Sequence, residues 1–159
     1  MEKRINFYEK AGNAMRPLFS LGAYLAKSHV EQTLLELISF RVSQINGCAY
    51  CLDMHAQDLL EAGESGQRLF ALDAWRETPF YTDRERAALA WAEAVTKLTD
   101  GNVPDAVYAE VRNHFSDEEL VDLTMGVVAI NSYNRINIAF GVQAGTYKPG
   151  MHAALLQEA

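Results

Sequence analysis

Apolar residues recur at three- and four-residue spacing along most of the chain, the period of helices that bury one face. Three such runs follow a Ser or Thr with Glu three positions later: Ser28/Glu31, Thr82/Glu85 and Ser116/Glu119. Each pair has the form of a capping box, in which the hydroxyl accepts from an orphan backbone N–H and the carboxylate reaches back to the cap residue. Leu34, Leu35, Ile38 and Val42 follow the first. Ala87, Leu89, Ala90, Trp91 and Ala94 follow the second, and Leu120, Leu123, Val127, Val128 and Ile130 the third. Pro104, suited to a first helical turn, opens a segment with Val107 and Val111. Pro17 requires the first long helix, which carries Leu18, Leu21 and Leu25, to open near that residue.

Strand patterns are missing: no stretch alternates apolar and polar residues over six positions. Gly63 is placed to close a helix, Gly101-Asn102 marks a turn, and residues from about 145 to 159 read as a C-terminal tail. The expected fold is all-α: a single domain over residues 1–159, a bundle of about six or seven helices. The helix after Ser116 is apolar nearly all the way round, so it demands burial on several sides. A symmetric homo-oligomer that encloses it between subunits is the expectation. Asn131, Asn134 and Asn137 interrupt that surface at three-residue spacing. They either hydrogen-bond within the core or interface, or line an active-site pocket.

Composition narrows the function classes. With 159 residues, 49% of them hydrophobic, the chain can build one core of ordinary size. Acids outnumber bases 21 to 14, leaving a net charge of −7, which argues against a nucleic-acid partner. The opening MEKRINFYEKAGNAM has no apolar run of the secretory type. The uncharged stretch from Leu123 to Asn134 is too short to cross a bilayer. A cytoplasmic protein without a membrane partner is expected.

In that compartment, two cysteines three apart read as redox-active or metal-binding before they read as a structural staple. Cys48 and Cys51 follow the turn signal Asn46-Gly47, which ends one helix near Gln44 and starts another at about Cys48. At about 100° per residue, Cys48, Cys51 and His55 share one helical face. Positions i and i+3 lie roughly 5 Å apart, inside the range that a disulfide needs. Thiols in a first turn meet free N–H groups and the positive end of the helix dipole, which favour thiolate. His55 is within reach of Cys51 and can take its proton. Glu36, among apolar neighbours on the preceding helix, needs a partner if buried, and the cysteine–histidine face supplies one.

Other readings of the pair are inert buried thiols or a zinc site with Glu36 as a fourth ligand, although structural zinc sites favour Cys and His throughout. Covalent haem would need His directly after the second cysteine, where Leu52 stands. No cofactor or resident metal is expected. Trp75, Phe80 and Tyr81 read as core or interface aromatics that could also wall the mouth of the thiol site. Asp53, Gln57 and Glu61 read as a solvated helix face, and His152 falls in the tail.

The pattern Glu36, eleven residues, Cys48-x-x-Cys51, three residues, His55 resembles the alkylhydroperoxidase AhpD-like proteins of the carboxymuconolactone decarboxylase superfamily. SQINGCAYC, DMHAQDLLEAG, WRETPFYTDRERAALAWAEA and EELVDLTMGVVAINSYNRIN are similar to that family as well, so the resemblance spans about residues 15 to 140. It implies a helical fold, homo-oligomers such as trimers or hexamers, and reduction of hydroperoxides at the expense of a lipoyl-, thioredoxin- or glutathione-linked dithiol. It also implies that Cys51 attacks peroxide and Cys48 resolves the sulfenic acid. AhpD carries His before the second cysteine; Tyr50 stands there in this chain and is a poor base near neutral pH. The decarboxylase branch lacks the CxxC pair. Candidate site residues are therefore Glu36, Cys48, Cys51 and His55, with Tyr50, Asn131 and Asn134 as pocket residues. A non-enzymatic redox sensor or dithiol switch is the alternative.

Overall fold

The computed structural model describes residues 4–152. Seven α-helices follow one another: α1 (Phe7–Leu25), α2 (Gln32–Asn46), α3 (Ala49–Glu61), α4 (Gly66–Ala71), α5 (Asp83–Lys97), α6 (Asp105–Arg112) and α7 (Asp117–Phe140). Short 3-10 turns at Leu72–Glu77 and Thr99–Gly101 complete the order, and no strand occurs among the described residues.

Helix α2 is the hub, packed against α3, α5 and α7. It buries Leu34, Leu35, Leu37, Ile38 and Val42 against Ala88, Leu89 and Ala92 of α5 and Leu123, Val127 and Ile130 of α7. Fully burying such a side chain contributes about 1.5–3 kcal/mol, so this seam is the main source of stability.

Two of the three expected capping boxes form in full, Thr82/Glu85 on α5 and Ser116/Glu119 on α7. The third does not. Glu31 itself occupies the N-cap position of α2, with no side-chain cap, and the Ser28 hydroxyl is buried without a hydrogen-bond partner. Glu31 pairs instead with Arg84 and closes no box with Ser28. Pro17 also departs from expectation. It lies inside α1, whose helical geometry breaks at Ala11 (φ −148°, ψ 38°). The break falls too far upstream to place Pro17 in an opening turn, so α1 forgoes one backbone hydrogen bond there.

A buried ionic cluster ties α2 to α5 and the first 3-10 turn. Glu93 accepts from Arg41 Nε (2.9 Å), Trp75 Nε1 (3.0 Å) and Arg76 Nη1 (2.8 Å), and Arg41 also reaches Asp73. Burial pushes the Glu93 carboxyl up, but the hydrogen bonds from Trp75, Arg76 and Arg41 outweigh it and hold the group below its ordinary value. Trp75 and Tyr81 are thus core residues: the Tyr81 hydroxyl donates to the Arg68 carbonyl, and neither they nor Phe80 reach the thiol site.

Candidate active site

The turn between α2 and α3 sets the geometry of the thiols. Gly47 closes α2 in the left-handed region (φ 70°), a conformation that costs glycine little. Its N–H donates to the Gln44 carbonyl and that of Cys48 to the Ser43 carbonyl, a Schellman ending. The chain reverses at once, so Cys48 becomes the N-cap of α3 and Cys51 stands in its first turn. The two are joined as a disulfide with Cα atoms 5.4 Å apart. Both are buried, at 1% and 0% exposure.

Folding α3 back on α2 also brings Glu36 to His55. Glu36 Oε2 lies 2.6 Å from His55 Nδ1, with the carboxylate side chain 38% exposed and the imidazole 8%. The carboxylate fixes the ring by its Nδ1 side, while Nε2 is buried and has no hydrogen-bond partner among the described residues. That nitrogen is the one left for a thiol proton or a bound molecule.

A cavity of about 360 Å³ opens over this group. Leu25, Leu35, Met54, Ala129 and Ile130 make much of its wall, and the phenols of Tyr8, Tyr50, Tyr133 and Tyr147 ring it. Cys51, His55 and Glu36 face it, whereas Cys48 does not. Asn137 of α7 completes the floor: its Nδ2 donates to Cys51 Sγ at 3.3 Å, and its side chain is buried. Burial raises Tyr133 to about 12, so the phenols enter as neutral hydrogen-bond donors.

The segment after α7 is part of the site. Gly145 donates its N–H to Asp53 Oδ2 (2.7 Å), and the buried Tyr147 donates its hydroxyl to the Asp58 carboxylate at 2.8 and 2.9 Å. Beyond it, His152 Nε2 lies 2.7 Å from the Tyr50 hydroxyl. Burial pushes the Asp58 carboxyl above its ordinary value against the pull of the Tyr147 hydrogen bond. Residues 145–152 therefore cap the cavity along α3, and Asp53 is an anchor instead of a solvated acid. Residues 153–159 of the expected tail lie outside the described residues.

Residues 13–94 match the model of the carboxymuconolactone decarboxylase family, about half of the chain. The chain belongs to that family. Among its relatives is the uncharacterized protein YdfG of Bacillus subtilis, 42% identical over 92% of this chain and 99% of that one. The alkyl hydroperoxide reductase AhpD of Nocardia farcinica is 51% identical over a shorter stretch, 26% of this chain and 23% of the relative. A crystal structure from Agrobacterium tumefaciens, of a protein of unknown function named for AhpD antioxidant defence, superposes with a TM-score of 0.87 at 40% identity. It covers 92% of this chain and 100% of its own. The debrominase Bmp8 superposes with a TM-score of 0.73 at 19% identity, over 94% of this chain and 78% of that one, and shares the fold.

Within this carboxymuconolactone decarboxylase-family fold, the structure brings Glu36, Cys48, Cys51, His55 and Tyr50 together. Asn131 and Asn134 are different. Asn46 Nδ2 donates to Asn131 Oδ1 (3.0 Å) and Asn134 Oδ1 (2.9 Å), and Asn134 Nδ2 donates to Ser43 Oγ (3.0 Å). Neither lines the cavity; both lock α7 to the end of α2, six and three residues before Asn137. Asp58, Tyr147 and His152 carry no linear signal, because their partners lie 89 to 102 residues away in sequence.

Proposed function

We propose that the protein is a thiol-dependent peroxidase that reduces hydroperoxides through a Cys51–Cys48 dithiol cycle. The observation that carries the reading is the asymmetry of the pair: Cys51 lines the cavity and its sulfur receives Asn137, while Cys48 does not line it. In the dithiol form, His55 Nε2, braced through Nδ1 by Glu36, takes the Cys51 proton. The thiolate attacks the terminal peroxide oxygen; an S–O bond forms, the O–O bond breaks, and the alkoxide leaves as the alcohol after taking a proton. Cys48 then displaces water from the sulfenic acid and closes the disulfide. An external dithiol restores both thiols by two exchanges and leaves as its own disulfide.

A peroxide-consumption assay with dihydrolipoamide, thioredoxin and glutathione side by side tests this. Sustained consumption with at least one donor is expected, with two free thiols before peroxide and none after it. Thiols that survive excess peroxide overturn the reading. A single oxidation that no donor reverses favours a redox switch. Turnover of a brominated pyrrole, the ligand in a second structure of the debrominase Bmp8, in place of a peroxide would move the assignment toward debromination.

The same reading includes assembly. Val121, Val128 and Ile138 stand exposed along α7, at 60%, 43% and 44%. A homo-oligomer, trimer or hexamer, would bury this strip. Light scattering at low micromolar concentration is expected to show no monomer; a stable folded monomer means that the strip stays in solvent.

A further inference from the structure

Peroxide cleavage needs two proton movements on opposite sides of the reacting atoms. One takes the proton from the Cys51 thiol; the other delivers a proton to the departing alkoxide. Glu36 and His55 serve the first. His55 cannot readily serve both at once, because its Nδ1 is committed to Glu36 and Nε2 is the thiol's acceptor. A second donor at the cavity wall is wanted, and it should be neutral so that the apolar pocket tolerates it.

Tyr50 and His152 have these properties. Tyr50 borders Cys51 on α3, is half-buried, and lines the cavity with it. Its hydroxyl is 2.7 Å from His152 Nε2, and His152 also lines the cavity from the C-terminal segment. The imidazole is held from behind by the Tyr147 ring, with centroids 5.6 Å apart and planes inclined by 29°. Tyr147 is in turn fixed by Asp58. A phenol has one proton. If Nε2 is bare, it takes that proton and Tyr50 offers the cavity only lone pairs. If Nε2 carries the hydrogen, it donates to the phenol oxygen, and the Tyr50 proton is free to turn into the cavity.

We propose that Tyr50 is the proton donor to the alkoxide leaving from Cys51, and that His152, supplied by the segment after α7, is the residue that positions and reloads it. The proposal rests on the peroxidase reading. As the O–O bond breaks and the S–O bond forms, the Tyr50 proton passes to the alkoxide oxygen, giving the alcohol. The phenolate takes the Nε2 proton as His152, which is half-exposed, picks up a solvent proton at its other ring nitrogen, so the ring stays neutral throughout and exchange with water restores its starting tautomer. Sulfur is oxidised and the peroxide reduced; no further reactant is needed. The surroundings suit this direction. Burial raises the Tyr50 phenol above its ordinary value and lowers the His152 imidazolium below its own, so the phenolate draws its proton back and the ring rests neutral. Asp58 opposes the second shift in part.

Leaving-group dependence tests the assignment. Pre-reduced full-length protein is mixed with tert-butyl hydroperoxide or with peracetic acid, and loss of thiol is followed through one turnover. The first oxidant expels a basic alkoxide that needs a proton; the second expels acetate, which does not. Tyr50→Phe is expected to slow oxidation by tert-butyl hydroperoxide by about 100-fold, the lower range for general acid–base catalysis, while the rate with peracetic acid is retained. His152→Ala is expected to shift the same selectivity in the same direction. Equal losses with both oxidants would show that the pair only shapes the pocket and overturn the proposal, as would no change with either. Wild-type thiols that survive both oxidants would instead sink the peroxidase reading itself.

Discussion

Cys51→Ser is expected to abolish peroxide reduction outright, whereas Cys48→Ser should still be oxidised once and then stall as a sulfenic acid on Cys51. The reason is geometric. Cys51 lines the cavity and its sulfur accepts from the Asn137 amide, so on the proposed reading it is the thiol that a hydroperoxide meets. Cys48 sits at the N-cap of α3, bonded to Cys51 but outside the cavity lining, where on the same reading it resolves and does not initiate. Electrostatics at the helix end favour the opposite order, since both thiols feel the α3 N-terminus and Cys48 is nearer to it. Access and the Glu36–His55 pair decide between them. Dimedone labelling followed by peptide mass mapping is the check. Label on Cys48 in Cys51→Ser, with none in Cys48→Ser, would require the two roles to be exchanged. Losing the base costs less: His55→Ala or Glu36→Gln should slow turnover by about 10²–10⁴-fold and leave the fold intact.

The second large effect concerns stability. Glu93→Ala should lower the free energy of unfolding by about 3–5 kcal/mol, because it removes the buried acceptor shared by three donors and strips the Arg41 guanidinium of its buried counter-charge. Arg41 keeps Gln44 and the exposed Asp73 as partners, and Trp75 loses the acceptor of its indole N–H. Denaturant titration should show a lower midpoint at unchanged slope. The pH dependence carries a definite sign. Glu93 is held below its unfolded value in the folded state, so its contribution is complete above the unfolded carboxylate range near 4 and is lost as pH falls through the folded value. The difference between wild type and variant should therefore shrink with acid. A difference that is constant from neutral to acid pH would mean that the carboxylate charge contributes nothing.

Helix type and number were legible in the linear sequence because both rest on local chemistry. The 3.6-residue recurrence of apolar side chains and the caps at Thr82 and Ser116 act within one or two turns. The thiol site was legible for the same reason, since Gly47, Cys48, Cys51 and His55 lie on one turn and one helix, and a single reversal returns α3 to Glu36. Where local signals compete with distant partners, the sequence alone was misleading. Ser28 and Glu31 have the form of a capping box, yet Arg84, 53 residues on, takes the carboxylate.

Only the tertiary structure distinguished the three asparagines of α7. They share a helix and a spacing, but Asn131 and Asn134 meet Asn46 at the end of α2 while Asn137 meets Cys51 on α3. Only the tertiary structure, too, turned residues 145–152 from a tail into a wall of the cavity. Their contacts with Asp53, Asp58 and Tyr50 span some ninety residues or more. Periodicity carries no information over that distance; it takes the folded chain to bring a tyrosine and a histidine of the C-terminal segment to the face of the helix that bears the thiols.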